Sequence, residues 1–235
     1  MLIRAHLKYP IIIALDPPHE IENPVEWCIK IIRETEDKVI GYKIGLPLLI
    51  RTGLEKLREI IKQMNKTDLI IADLKLADIG EIMIETIKPL LEIGIDTFIA
   101  HGFIGYRDAL ERLVKYLDMS KSKLILVVSM THTGSIELID KNIDDLIKIV
   151  LETKPWGVVV APNKKNIIDR VKNASREENI DLKILTPGIG LQGAEPGTGL
   201  KNGADYEIIG RLITRTENPG NKLVELINKY YRWLN

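Results

Sequence analysis

Three charged side chains of alternating sign follow a short apolar run. Residues 70–72 lead into Asp73, Lys75 and Asp78. Because alternate side chains of a strand share a face, Asp73 and Lys75 are predicted to point the same way, with Asp78 in the turn beyond. A lysine held between two carboxylates stays protonated, since nearby opposite charge favours its charged form. The pattern therefore predicts a fixed cation that is also a positioned proton donor.

A solvated strand end with a surface ion pair is the common alternative for such mixed charge. The position favours chemistry, because catalytic groups of α/β folds collect where parallel strands end. Further polar residues occupy the corresponding place after other predicted strands: Asp16, Lys43, Thr131, Gln192 and Arg211. Each of these alone has a structural explanation, such as a turn residue. Their common placement at strand ends predicts one shared site.

A glycine-rich segment and an arginine predict a phosphate site. Residues 187–193 run from Pro187 through two glycines to Gln192 and a third glycine, Gly193. Gly210 and Arg211 follow the next predicted strand. Glycines let backbone N–H groups approach an anion, and arginine can bind two phosphate oxygens at once. A plain glycine-rich surface loop is the alternative. The spacing fits neither a Walker loop nor a dinucleotide fingerprint.

Short β-branched runs predict the strands that position these residues. They cover residues 10–15, 39–44, 69–74, 97–100, 124–129, 157–160, 183–186 and 206–209, and helical spacing of apolar residues lies between them, for example over 46–61, 139–151 and 223–231. Near-continuous apolar character is typical of parallel strands buried on both faces. Asn23 and Pro24 are residue types preferred where a helix begins. Eight strand–helix pairs predict an α/β fold, a (β/α)8 TIM barrel spanning residues 1–235 as one domain, with an open doubly wound sheet as the alternative.

The composition restricts the classes of partner. The chain has 235 residues, 45% of them hydrophobic, and 33 basic residues balance 33 acidic ones. That balance argues against nucleic acid as the main partner. The apolar run at residues 11–15 is too short to span a membrane. Cys28 is the only cysteine, so a disulfide within the chain is impossible and a reducing, cytoplasmic location is predicted.

The sequence does not predict a metal centre. The four histidines form neither a metal-spaced pair on a helix nor a cysteine–histidine set. Asp73 and Asp78 could hold a magnesium ion, but Lys75 between them would compete with it. His101 and His132 follow predicted strands and could line the site, although a hydrogen-bonded structural role is commoner.

Seven motifs in chain order carry a resemblance to a known family. They are Ala14-Leu15-Asp16, Tyr42-Lys43-Ile44-Gly45, the segment from Asp73 to Ile79, His101-Gly102, the segment from Ser129 to His132, the segment from Pro187 to Gly193, and Gly210-Arg211. In these motifs the chain resembles the orotidine 5′-phosphate decarboxylases. The resemblance implies a homodimeric barrel without cofactor or metal that converts orotidine 5′-phosphate to uridine 5′-phosphate in pyrimidine synthesis.

The same resemblance implies a role for each matched residue. Asp16 and Lys43 would bind the ribose hydroxyls, Thr131 the pyrimidine, and Gln192 and Arg211 the phosphate, while Ile79, Pro187 and Gly210 complete the substrate-binding set. Lys75 would stabilise the carbanion at C6 and protonate it. Asp73 and Asp78 would complete the charged array, with Asp78 reaching the neighbouring subunit's site. Gly80 and Ile82 depart from the family pattern, which expects a proline and a threonine there.

Two other functions remain open at this stage. The motif Asp-x-Lys-x-x-Asp is shared with magnesium-dependent relatives, 3-keto-L-gulonate 6-phosphate decarboxylase and hexulose 6-phosphate synthase. Those relatives resemble each other in an acidic residue at the end of strand two, where this chain has Lys43. A non-enzymatic protein that binds a phosphate ligand on a barrel is the second alternative. Measured turnover and resistance to chelators separate the three.

Overall fold

The computed structural model describes residues 8–191 and 193–234. In them, eight parallel strands close into a barrel in which each strand pairs with the next. The strands are β1 (Tyr9–Leu15), β2 (Val39–Gly45), β3 (Leu69–Leu76), β4 (Thr97–His101), β5 (Lys123–Val127), β6 (Gly157–Val159), β7 (Lys183–Thr186) and β8 (Tyr206–Ile209). β1 pairs with β8, with Ile12 opposite Ile208. The predicted (β/α)8 barrel is confirmed, and the open doubly wound sheet is wrong.

Helices follow the strands around the outside of the barrel. They are α1 (Pro24–Thr35), α2 (Leu46–Ile61), α3 (Gly80–Glu92), α4 (Glu111–Met119), α5 (Ile143–Thr153), α6 (Lys165–Glu177), α7 (Thr198–Lys201), α8 (Arg211–Thr214) and α9 (Pro219–Leu226). Short irregular helical turns cover Gly102–Ile104, Tyr106–Leu110, Thr133–Ile136, Asp140–Asn142, Ile227–Tyr231 and Arg232–Leu234. No helix within these described residues is long and apolar enough to cross a membrane.

Local chemistry accounts for several of these boundaries. The side chain of Asn23 accepts a hydrogen bond from the Glu26 N–H at 3.2 Å, and Pro24 occupies the first turn of α1. The helix predicted from residue 139 begins at Ile143 instead. A short turn over Asp140–Asn142 precedes it, and Asp140 is used in a polar network described below.

Apolar side chains form two layers that fix the strand ends. Inside the barrel, Ile12, Ile71, Ile125 and Leu185 are buried with their neighbours. A larger layer packs the helices against the outer face of the barrel. Burial of this area is the main favourable contribution to folding. The carboxyl ends of the strands therefore lie on a rigid frame, where polar side chains can be held in place.

Candidate active site

A cavity of about 650 Å³ opens at the carboxyl end of the barrel. Eight of the residues predicted from the sequence line it: Asp16, Lys43, Asp73, Lys75, Thr131, Pro187, Gly210 and Arg211. Lys43 lies on β2 and Asp73 and Lys75 lie on β3, and the other five residues follow the ends of β1, β5, β7 and β8. The structure thus brings together residues that are as many as 195 positions apart, counted from Asp16 to Arg211.

An irregularity in β3 aims Lys75 at Asp73. The pairing of β3 with β4 shifts register between Ala72 and Leu76, and Lys75 has a φ of 47°. A left-handed conformation is uncommon for a residue other than glycine, and bulges of this kind redirect side chains next to active sites. The Lys75 ammonium lies 2.8 Å from each oxygen of the Asp73 carboxylate. The predicted meeting of these two side chains is confirmed, although a bulge accompanies it where a regular strand was predicted.

Lys43 makes the second contact of Asp73. In the sheet, Lys43 of β2 lies opposite Ile71 of β3, so that Asp73 is two residues further along the same face. The Lys43 ammonium lies 3.2 Å from Asp73 and 3.3 Å from Asp16. Gly45 makes room for this arrangement, because a Cβ added there would lie 2.3 Å from an Asp16 carboxylate oxygen.

Burial and charge act in opposite directions on this array. Both Lys43 and Asp73 have side chains that are only 10% exposed. Burial works to raise the pKa of Asp73, but the charges of Lys43 and Lys75 outweigh it and hold that pKa below its ordinary value. Burial likewise works to lower the pKa of Lys43, and Asp73 and Asp16 outweigh it, so that the pKa is raised. Each partner thus keeps the other ionised near neutral pH.

Asp78 and Ile79 lie outside the cavity of their own chain. The Asp78 carboxylate accepts a hydrogen bond from the Ile79 N–H at 2.7 Å, and the Ile79 side chain is exposed. Neither residue lines the cavity. Among residues 8–191 and 193–234, no ion pair joins Asp78 to a basic group. The roles predicted for these two residues stay predictions, and Gln192 lies outside the described residues.

Gly80, the first residue of α3, lies at a point of close packing. A Cβ at this position would lie 2.5 Å from Arg112 Cβ and 2.9 Å from the Ala109 carbonyl oxygen. The start of α3 therefore packs directly on the segment that leads into α4. Where the family pattern expects proline, this chain has glycine, and the chain segment before α4 packs closely against it. A larger residue at position 80 would prevent this packing.

The other end of the cavity carries arginine and glycine. Arg211 opens α8 directly after Gly210. Gly188 and Gly190 in the loop after β7 have φ values of 85° and 88°, which glycine adopts at little cost. Arg215, one turn after Arg211, also lines the cavity. Sequence reasoning missed Arg215, and its spacing of four residues from Arg211 in a short helix was the available signal.

Of the three histidines within the described residues, two line the cavity and one does not. His19 and His132 line the cavity, and His101 does not. His101 packs against Phe103 with ring centroids 4.6 Å apart, and its Nδ1 is buried without a hydrogen-bond partner. Burial and then the charge of Lys75 lower its pKa. The part of the chain that the structure describes has no group of three or more His, Cys, Asp or Glu arranged to hold a metal ion.

Comparison with known proteins places these features in a family. Residues 9–226 match the model of the "Orotidine 5′-phosphate decarboxylase / HUMPS family". The orotidine 5′-phosphate decarboxylase of Aeropyrum pernix is 39% identical over 214 residues, which cover 91% of this chain and 85% of that protein.

Solved structures give the same result at the level of the fold. The crystal structure of orotidine 5′-monophosphate decarboxylase from Sulfolobus solfataricus matches with a TM-score of 0.82 and 33% identity, covering 97% of this chain and all of the other. That of Methanocaldococcus jannaschii, complexed with the inhibitor BMP, matches with a TM-score of 0.81 and 28% identity over 95% of this chain and 100% of the other. On the extent of the sequence match, this chain belongs to the orotidine 5′-phosphate decarboxylase / HUMPS family.

Proposed function

We propose that this chain decarboxylates orotidine 5′-phosphate to uridine 5′-phosphate and carbon dioxide, a step of pyrimidine nucleotide biosynthesis. The observation that carries the proposal is the Asp73 carboxylate held between the ammonium groups of Lys43 and Lys75 in the barrel cavity. The matched relatives bear the name of this activity. A lysine at the end of β2, rather than an acidic residue, favours it over the magnesium-dependent relatives.

We assign the three parts of the substrate to separate groups of residues in the cavity. We assign the pyrimidine to the end near Lys75 and Thr131, the ribose hydroxyls to Asp16 and Lys43, and the phosphate to Arg211. Pro187, Gly210 and Gln192 complete the set around the phosphate. A volume of about 650 Å³ falls within the range of small-ligand pockets, roughly 300–1,000 Å³.

Lys75 supplies the main chemical step in this proposal. The bond between C6 and the carboxyl carbon breaks, carbon dioxide leaves, and the electron pair stays on C6 in an sp² orbital without an adjacent sink. An ammonium about 4 Å away stabilises that charge by roughly 4 kcal/mol at an effective dielectric of about 20, and by more when water is excluded. Lys75 then transfers a proton to C6 and regains one from solvent.

Asp73 plays a double part in the same step. Its lowered pKa keeps it ionised, and its hydrogen bonds orient the Lys75 ammonium. Placed beside the substrate carboxylate, it also repels that group, and the repulsion disappears as neutral carbon dioxide forms. We rank this repulsion below stabilisation by Lys75, because ground-state destabilisation is a disputed contribution to catalysis.

The proposed reaction uses neither metal nor cofactor. Two lysines already neutralise Asp73, the carboxylate closest to the centre of the array. A divalent ion at Asp73 would have to displace or approach those cations, which Coulomb repulsion opposes. The electron pair on C6 is instead stabilised by the ammonium group itself.

A homodimer would complete the array. Asp78 does not line the cavity of its own chain, and two residues that follow it closely in the sequence expose apolar side chains, Ile79 at 57% and Ile82 at 49%. Exposed apolar side chains clustered in this way indicate an interface. A two-fold axis there would carry Asp78 and Ile79 of each chain to the mouth of the other's barrel. A cytoplasmic location, with a small-molecule substrate and without nucleic-acid or membrane partners, completes the proposal.

Turnover of orotidine 5′-phosphate by the purified chain tests the proposal. Loss of the substrate's absorbance, with and without EDTA, should show decarboxylation of equal rate in both samples. Activity that EDTA abolishes and magnesium restores would move the assignment to the sugar-phosphate lyases. Binding of uridine 5′-phosphate without any turnover would leave a phosphate-ligand binding protein.

A further inference from the structure

The loop that follows β5 forms one wall of the cavity. This β5 loop, residues 128–142, brings Met130, Thr131 and His132 to the cavity surface. Thr131 is the residue assigned to the pyrimidine, so the position of its backbone decides what the base can contact. The contacts that fix this segment come from residues outside the cavity lining, and the sequence analysis gave none of them a role.

Lys164, in the loop between β6 and α6, uses all three of its ammonium hydrogens on the β5 loop. It donates to the Met130 carbonyl at 2.8 Å, to Ser129 Oγ at 3.1 Å and to the Asp140 carboxylate at 2.5 Å. A lysine has three donors and no acceptor. All three donors of Lys164 therefore bind groups of one neighbouring loop.

Asp140 accepts hydrogen bonds from two serines of the same loop. Its second oxygen accepts hydrogen bonds from Ser129 Oγ at 2.8 Å and from Ser135 Oγ at 2.9 Å. Ser135 in turn accepts the Met130 N–H at 3.1 Å. Both backbone polar groups of Met130, directly before Thr131, are thus bound within the same network.

The network is enclosed and its charges are matched. Ser129 and Ser135 are fully buried, and the side chains of Asp140 and Lys164 are 12% and 21% exposed. Burial works to raise the pKa of the Asp140 carboxyl, but hydrogen bonds from Lys164, Ser129 and Ser135 outweigh it and lower that pKa. Hydrogen bonds to charged groups are among the stronger ones, and enclosure from water strengthens them further.

We propose that Lys164 and Asp140 are positioning residues for recognition of the base, and that they hold the backbone of Met130 so that Thr131 faces the pyrimidine ring. This proposal rests on the proposed function through the assignment of Thr131 to the base. A network that only stabilised the fold would not need to bind both backbone groups of a residue in the cavity wall. Its removal should therefore affect ligands with a base more than ligands without one.

The test compares binding of uridine 5′-phosphate with binding of ribose 5-phosphate, which lacks the base. Lys164→Met removes the three donors and keeps an unbranched side chain that is only one atom shorter. We expect a loss of about tenfold or more in affinity for uridine 5′-phosphate, the factor that corresponds to one charge-assisted hydrogen bond. Affinity for ribose 5-phosphate should stay within about twofold. Amide hydrogen exchange over residues 128–142 should become faster.

Lys165→Met is the matched control. Lys165 is the next residue, is exposed, and pairs with Asp169 on its own helix at 2.6 Å. It should change neither affinity nor exchange in the β5 loop. Because Lys164→Met leaves Asp140 without its cation, Asp140→Asn and the double variant are measured as well, and their effects should fall short of additive. Lys164→Arg should recover most of the affinity, because it restores a cation beside Asp140.

Equal losses for the two ligands, or no loss for either, would overturn the positioning role and leave a structural one. A wild-type chain that binds both ligands equally would overturn it too, because the base would then contribute nothing. Failure of the proposed function is seen separately, as binding of uridine 5′-phosphate without turnover of orotidine 5′-phosphate. In that case the comparison of ligands still decides the role of Lys164.

Discussion

The two ends of the cavity are built in opposite ways. The base end comprises Asp16, Lys43, Asp73 and Lys75 together with Lys164 and the β5 loop. Its charged groups contact one another at 2.5–3.3 Å. At the phosphate end, formed by the loop after β7 with Arg211 and Arg215, no ion pair joins either arginine to a carboxylate within the described residues. One end is internally neutralised, and the other carries unbalanced positive charge.

This difference indicates that the base end serves the chemical step and the phosphate end serves substrate binding. Groups that are already oriented cost no reorganisation when charge develops on C6, which is the basis of electrostatic preorganisation. Arginines that form no ion pair among the described residues bind an anion strongly, because no such pair must be broken. Energy gained there, remote from the reacting carbon, helps to hold the base against the preorganised array.

Removing the central cation of the base end should have the largest effect. We expect Lys75→Ala to lower turnover by more than about a thousandfold, because both charge stabilisation and proton transfer are lost. Stability should change little, since Asp73 keeps its contact with Lys43 and the Lys75 side chain is 42% exposed. Single-turnover assays measure the first quantity and the melting temperature the second. Retained binding of uridine 5′-phosphate shows that the site is still formed. Substantial remaining turnover would show that another group protonates C6.

A mixing experiment tests whether the base end is complete in one chain. Lys75→Ala and Asp78→Ala are each expected to be inactive, and their subunits are allowed to exchange. If Asp78 acts on the partner's site, each mixed dimer has one site with both defects and one with neither. Activity should rise toward about a quarter of wild type, since about half of the dimers are mixed and half of their sites are intact.

Subunit exchange has to be verified independently, for example by fluorescence transfer between labelled chains. A mixture of Lys75→Ala with unlabelled Lys75→Ala serves as the control and should remain inactive. Verified exchange without recovered activity would refute the shared site, while leaving the proposed decarboxylation intact. The base end would then be closed by residues of its own chain.

Substitution at the phosphate end should weaken binding without removing the chemistry. Arg211→Ala is expected to cost about 1.5–3 kcal/mol, the usual value for a hydrogen bond to a charged group. The loss should appear with orotidine 5′-phosphate and be nearly absent with orotidine, which lacks the phosphate. Steady-state kinetics on both substrates measure it. Equal losses on the two would mean that Arg211 has a structural role instead.

The fold and the strand-end residues were predictable because they follow from local sequence patterns. β7 and β8 have the predicted boundaries, and Asp16, Lys43 and Asp73 all line the cavity, because parallel strands buried on both faces read as short apolar runs with polar residues at their ends. β3 is longer than predicted by two residues, since it continues past the irregularity at Lys75.

Contacts between distant loops could not be predicted in the same way. Lys164 and Asp140 are 24 residues apart in the sequence, and each looks like one of many charged residues between predicted elements. Only the closed barrel brings the loops after β5 and β6 together and shows that the lysine is fully bonded. Gln192, which the resemblance assigns to the phosphate, lies outside the described residues, so its role stays a prediction.

Substitution of Arg215 should give the smallest loss of substrate binding. It tests whether one arginine or two bind the phosphate. Arg215 lines the cavity one turn after Arg211. Both arginines are exposed, so solvent screens the attraction of each for a phosphate. Arg211 directly follows β8 and Gly210, whereas Arg215 lies beyond the last residue of α8. We expect Arg215→Ala to weaken substrate binding by about two- to fivefold, the range of an exposed ion pair. The effect should shrink further as salt is raised, because screening acts over about 10 Å at 0.1 M ionic strength. Arg176→Ala, an exposed arginine on α6 outside the cavity lining, is the matched control and should leave binding unchanged. A loss as large as that of Arg211→Ala would make the two arginines equal partners in one phosphate site, and no loss at low salt would leave Arg211 as the dominant cation.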